Sequence, residues 1–129
     1  VHLVGSSMGG FFATCLVEKY DLRGVLVNPA LDPANGMKYL LGKHKNFQGT
    51  DFWTLEPRHV EEYRDNAREK IKNRSNYLVL LQSGDEVLDY RDAIEYYAGC
   101  STIIEQGGNH SFTNYQYYLE EIYQFLFEE

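Results

Sequence analysis

Three segments carry residues able to act together in acyl chemistry. Gly5-Ser6-Ser7-Met8-Gly9 is a G-x-S-x-G pattern. A mostly apolar run at residues 1–4 precedes it, and in residues 8–20 that follow, Phe12, Leu16, Val17 and Tyr20 recur at helical spacing. A strand that turns sharply into a helix at a serine is a nucleophile elbow. The hydroxyl then stands out at the top of a sheet, and both glycines are expected because a side chain at either position would clash. The N–H groups at the start of the helix favour negative charge on a bound oxygen, so the Met8 N–H is the expected oxyanion-hole donor.

A serine hydroxyl is a weak nucleophile at neutral pH. It needs a base to take its proton and an acid to orient that base. Ser83-Gly84-Asp85-Glu86-Val87 offers a carboxylate directly after the uncharged run 77–81, and Gly107-Gly108-Asn109-His110-Ser111 offers an imidazole after the run 101–105. Residues just past the C-terminal ends of parallel strands share one sheet edge, where α/β proteins bind their ligands. The chain order Ser7, Asp85, His110 is the one that nucleophile-elbow folds use. Plainer roles exist for each: a turn serine, a helix-capping aspartate, a loop histidine. Their common place at strand ends favours the catalytic roles. Asp89 competes as the acid, but it suits the N-cap of a helix starting at Tyr90. His2 lies in a strand, and His44 and His59 in polar segments. None forms a pair with metal-ligand spacing, so neither metal nor other cofactor is expected.

Elements must hold these residues in place. Residues 24–28 (GVLVN), 77–81 (YLVLL) and 101–105 (STIIE) read as strands after the opening one; 8–20, 89–98 and 114–127 read as helices. Strands alternating with helices imply an α/β class, a parallel sheet with helices on both faces. Residues 29–36 hold two prolines and a glycine and read as a loop, followed by a short helix at 37–41. Residues 42–56 read as irregular. A surface helix is expected over 56–74, with Pro57 in its first turn and Val60, Tyr63, Ala67 and Ile71 as a narrow apolar stripe. Phe47, Phe52, Trp53 and Leu55 must cover something: either they line an acyl pocket as part of a cap segment at 42–76, or they pack beneath that helix. In the last helix Tyr115, Tyr118, Leu119, Ile122, Phe125 and Leu126 are expected on the core face.

Composition bounds the function classes. The 129 residues fit one domain, and 11 Tyr, 7 Phe and 1 Trp argue for a folded core rather than disorder. Twelve Lys and Arg against 19 Asp and Glu leave a net charge of −7, which disfavours nucleic acid and anionic membrane as partners. No apolar run nears the roughly 20 residues of a membrane helix. Cys15 and Cys100 lie far apart and outside any CxxC. They read as two reduced, buried thiols, which favours a cytoplasmic location.

Four blocks, G-S-S-M-G-G-F-F-A-T, V-L-V-N-P-A, L-L-Q-S-G-D-E-V-L-D-Y-R and G-G-N-H-S-F, together resemble the YqiA/YcfP-type group of small bacterial α/β-hydrolase esterases. They span nearly the whole chain. The resemblance implies a cytoplasmic, cofactor-free serine esterase for carboxylic esters or thioesters of modest size, with Ser7 as nucleophile, His110 as base and Asp85 as acid. It also implies an upstream segment with the first strands and a His-Gly-containing loop that supplies the second oxyanion N–H. This chain opens with Val1, at the strand leading into the elbow. It therefore reads as a partial α/β-hydrolase-like domain over 1–129 that lacks the N-terminal strands, with an open sheet edge offering a route to a homodimer. Two further functions fit the same residues. One is a non-catalytic binding module that keeps the pocket. The other is an acyltransferase that passes the acyl group to an alcohol or amine instead of water.

Overall fold

The computed structural model describes residues 1–32, 41–45, 49, 51–66 and 70–128. Phe47 and all but Leu41 of the short helix expected at 37–41 lie outside them. In chain order the elements are β1 (His2–Ser6), α1 (Met8–Tyr20), β2 (Arg23–Val27), β3 (Gly42–Lys45), β4 (Phe52–Leu55), α2 (Pro57–Asn66), β5 (Tyr77–Gln82), α3 (Tyr90–Tyr96), β6 (Ser101–Glu105) and α4 (Leu119–Phe127). They fall into two compact units, Val1–Leu31 with Arg68–Glu129, and Asp32–Ala67.

The first unit is built on a parallel sheet in the order β1-β2-β5-β6. Val4 pairs with Val25, Val25 with Leu78, and Leu80 with Ile103. Each strand thus adds outward from β1 after a crossover, as βαβ connections require. β1 forms one edge, and its outer side has no strand partner among the described residues.

Side chains of β2 and β5 alternate between two cores. Leu26, Val79 and Leu81 face Ala13 and Val17 of α1 together with Tyr97. Val25, Leu78 and Leu80 face Ile122 and Leu126 of α4 together with Phe112. Both faces are covered, which is why residues 24–27 and 77–82 carry no charge, while Arg23 sits at the very start of β2 and donates to the Phe125 and Glu128 carbonyls. Each such aliphatic side chain contributes about 1.5–3 kcal/mol by leaving water.

Three expectations about the helices are corrected. In α1 the stripe Phe12, Leu16 and Tyr20 points outward, 45%, 40% and 57% exposed, while Gly10, Phe11, Ala13, Thr14 and Val17 are buried. The helix lies close on the sheet. A Cβ added at Gly10 would stand 2.5 Å from that of Pro29. Gly10, Ala13, Thr14 and Val17, at i, i+3, i+4 and i+7, therefore mark the packed face with Phe11 beside them, and Phe12, Leu16 and Tyr20 do not. The last helix is shorter than 114–127, because Tyr115–Tyr118 is a 3₁₀ turn preceded by Asn114 in the left-handed region at φ 64°. Ile122 and Leu126 are buried and Tyr115, Tyr118 and Phe125 pack against the same core, as expected, but Leu119, the first residue of the α-helix, is 52% exposed. The helix expected to run to Arg74 is described only to Asn66. Arg74–Asn76 is a separate 3₁₀ turn, and Ile71 is buried in the core of the first unit. The N–H groups of Lys72 and Asn73 donate to the Glu18 carboxylate instead of to a helix carbonyl, and the Asn76 amide donates to Asp21.

In the second unit the segment expected to be irregular is an antiparallel hairpin, with Gly42 opposite Leu55 and His44 opposite Trp53. Its exposed aromatics find polar partners across the strands: the His44 ring stacks on Trp53 at 4.7 Å, and the Lys43 ammonium sits 4.4 Å over Phe52. Leu55 and Val60 are buried. No helix among the described residues is long and apolar enough to cross a membrane.

Candidate active site

β1 ends at Ser6 and α1 begins at Met8, leaving Ser7 between them at φ 55° and ψ −118°. A positive φ at a non-glycine residue costs of order 1–3 kcal/mol and persists only where the surroundings enforce it. Here they do. The Ser7 N–H donates to the Val27 carbonyl at 3.0 Å, and the Ser7 carbonyl accepts from Gly10 at 2.9 Å and Ala30 at 2.8 Å. A Cβ at Gly5 would overlap the carbonyl of Gly9, so that position excludes side chains. A Cβ at Gly9 meets nothing within 4 Å, which corrects the expectation that both glycines of the motif are needed. We expect Gly5→Ala to lower stability by about 1–3 kcal/mol or more, the cost of overpacking. Gly9→Ala should leave the thermal unfolding midpoint nearly unchanged. Equal losses in both variants would contradict this packing.

Ser7, Asp85 and His110 stand within hydrogen-bond reach of one another in sequence of contact. His110 Nε2 lies 2.8 Å from Ser7 Oγ, and His110 Nδ1 lies 3.0 Å from each oxygen of Asp85. The Asp85 side chain is 2% exposed and that of His110 20%. Asp85 Oδ1 also accepts from the N–H groups of Val87 and Leu88, at 2.9 Å each, so its own loop aims the carboxylate. A carboxylate on Nδ1 draws the ring proton there and leaves the Nε2 lone pair toward the hydroxyl. Met8 is the first residue of α1, where the helix provides no acceptor for its N–H.

Asp89 is engaged elsewhere. It caps α3 by accepting from the Arg91 N–H at 3.0 Å, and it grips the Arg91 guanidinium at 2.9 and 2.7 Å. The Arg91 side chain first, and its backbone N–H second, lower the Asp89 carboxyl to about 2. The other histidines have their own partners: His2 lies edge-on to Phe127, His44 stacks on Trp53, and His59 Nδ1 accepts from the Glu56 N–H. Neither cysteine is in a disulfide, and burial pushes the Cys100 thiol up to about 11, so it stays protonated at neutral pH.

Sequence reasoning passed over three residues that hold the histidine segment. Asn28, 2% exposed, donates from Nδ2 to the carbonyls of Asn109 and His110 at 3.0 Å each, and its Oδ1 accepts from the Gln82 N–H at 3.1 Å. Gln82 is fully buried. Its Oε1 accepts from the N–H groups of Asn109 and Thr113, and its Nε2 donates to the Thr113 carbonyl at 2.7 Å. Glu86 accepts from the His110 N–H at 2.9 Å. A signal did exist for the two amides. Each ends an otherwise apolar strand, V-L-V-N and V-L-L-Q, where a buried polar group must find partners.

A model of the family described as "Uncharacterised protein family (UPF0227)" matches residues 1–127. The UPF0227 protein of Serratia proteamaculans (strain 568) is 27% identical over 124 residues, covering 95% of this chain and 63% of that protein. Among solved structures, a protein of Agrobacterium vitis S4 has a TM-score of 0.72 at 20% identity, over 97% of this chain and 60% of its own. The esterase domain of a Rhodothermus marinus protein has a TM-score of 0.63 at 17% identity, over 94% and 58%. The sheet and its helices are those of an α/β hydrolase. The chain spans about 60% of the length of the proteins it resembles.

Proposed function

The chain belongs to the UPF0227 family, and we propose that it is a serine hydrolase cleaving carboxylic esters or thioesters through an acyl-enzyme on Ser7. One observation carries the proposal: Ser7 Oγ sits 2.8 Å from the imidazole nitrogen that Asp85 leaves free to accept a proton. An α/β-hydrolase fold shared with a Rhodothermus marinus esterase domain supports it.

The chemistry follows from these positions. Ser7 Oγ attacks the substrate carbonyl carbon while its proton passes to His110 Nε2. The carbonyl electrons move onto oxygen, and the Met8 N–H stabilises the oxyanion together with the positive end of α1. The intermediate collapses, the C–O or C–S bond breaks, and the departing alkoxide or thiolate takes the proton from Nε2. Water then enters, gives a proton to Nε2 and attacks the acyl carbon; the bond from that carbon to Ser7 Oγ breaks, Oγ takes the proton back from Nε2, and the acid leaves with Ser7 and His110 restored. Asp85 holds the ring in one tautomer and stabilises the imidazolium formed in each half.

Activated esters test the class without knowledge of the natural substrate. Purified protein mixed with p-nitrophenyl acetate should release a burst of up to one nitrophenolate per chain, followed by steady turnover. A protein that gives neither burst nor turnover with this ester and with an acetyl thioester is a binding module, and the proposal fails. Turnover that rises with added alcohol while the free acid falls would assign acyl transfer instead.

A further inference from the structure

We propose that residues 27–30, at the end of β2, form a bracket that sets the distance between Ser7 and His110, with Asn28 as its positioning residue. This deepens the esterase reading and rests on it. One side of the bracket holds the nucleophile: the Val27 carbonyl takes the Ser7 N–H and the Ala30 N–H binds the Ser7 carbonyl. Both peptide groups flanking the Ser7 side chain are thus fixed by this turn. The other side holds the base: Asn28 Nδ2 bridges the carbonyls of Asn109 and His110, the peptide groups before and after the His110 Cα. Asn28 Oδ1 anchors the same amide to the Gln82 N–H at the end of β5. Ser7 and His110 are 103 positions apart in sequence, and one buried side chain brings their backbones into register.

The residue type is demanded by the geometry. Asn28 has φ 42°, in the left-handed region, where glycine, asparagine and aspartate are favoured. Of these, asparagine alone brings two donors and an acceptor on a short side chain. The histidine segment needs an outside hold. Gly107 and Gly108 have positive φ and leave the approach to His110 conformationally free, and Phe112 at φ 66° is strained, a conformation that persists only when neighbours over-determine it. A misplacement of about 1 Å between reacting groups costs on the order of 10²-fold in rate.

Asn28→Asp and Asn28→Gly separate positioning from folding. The aspartate keeps shape and backbone preference but sets an oxygen against two carbonyls. The glycine keeps the backbone and deletes the amide. For parent and variants, the inactivation of Ser7 by an organophosphonate, thermal unfolding, and the low-field proton NMR signal of His110 Nδ1–H are measured. We expect the limiting inactivation rate to fall about 10–100-fold, with half-saturation within about twofold. We also expect unfolding to stay cooperative, and the low-field signal to shift or broaden. A folded variant inactivated within twofold of the parent rate overturns the bracket. So does unfolding of both variants, which would make Asn28 a residue of the fold alone. If the parent is not labelled at all, the esterase reading fails, and the NMR signal decides the bracket by itself: a change in a folded variant supports it, and an unchanged signal overturns it.

Discussion

Ser7→Ala should reduce ester turnover by about 10⁶-fold, to the level left by binding and the oxyanion donor. The size of the loss follows from the mechanism. The acyl-enzyme forms on Oγ, and the hydroxyl on His110 Nε2 is that of Ser7. Without it the imidazole has no proton to take, and a water in its place lacks the alignment of a covalent nucleophile. The fold should survive. Alanine is no more strained than serine at φ 55°, and the bonds that hold the turn run through the Ser7 backbone to Val27, Gly10 and Ala30. Turnover of p-nitrophenyl acetate together with far-ultraviolet circular dichroism checks both halves. A folded Ser7→Ala protein working at the parent rate would remove Ser7 from the chemistry.

Asp85→Asn should cost about 10⁴-fold in kcat, and Asp89→Asn less than about threefold. An amide at 85 can keep its oxygen on the Val87 and Leu88 N–H groups. It then presents N–H to His110 Nδ1, which forces the ring proton onto Nε2 and turns a donor toward the Ser7 hydroxyl. The base is lost although nothing moves. Asp89 has no part in that alignment. Its partner is Arg91, in a solvent-exposed pair that water and salt screen, and asparagine caps a helix as well as aspartate does. Steady-state kinetics on both variants decide between them. A larger loss from Asp89→Asn would mean that the acid is misassigned.

The central strands were readable because residues 24–27 of β2 and all of β5 are covered on both faces, and such stretches are uncharged. Asp89 as the cap of α3 was readable for a similar reason, since N-cap chemistry is local. What escaped depends on distance in space. The packed face of α1 is set by its close approach to Pro29, 19 residues beyond Gly10, and so includes Gly10, Ala13 and Thr14, small residues that hydrophobic spacing underweights. The hairpin of β3 and β4 has no clean alternation, because its aromatics stay exposed and are matched by Lys43 and His44 rather than by a core. Gly9 looked obligatory from the motif alone; only its surroundings show an open space there. Asn28 and Gln82 were marked locally, each as a polar residue ending an apolar run, but their partners are backbone groups more than 25 residues away, which sequence spacing does not identify.

The measurement that bears most directly on the central claim is covalent labelling by an organophosphonate, read by intact mass and peptide mapping. The mechanism requires a nucleophile activated by His110. It therefore expects one adduct per chain, on the peptide containing Ser7, absent from Ser7→Ala and strongly slowed in Asp85→Asn. An unlabelled protein, or an adduct that persists in folded Ser7→Ala, would contradict it.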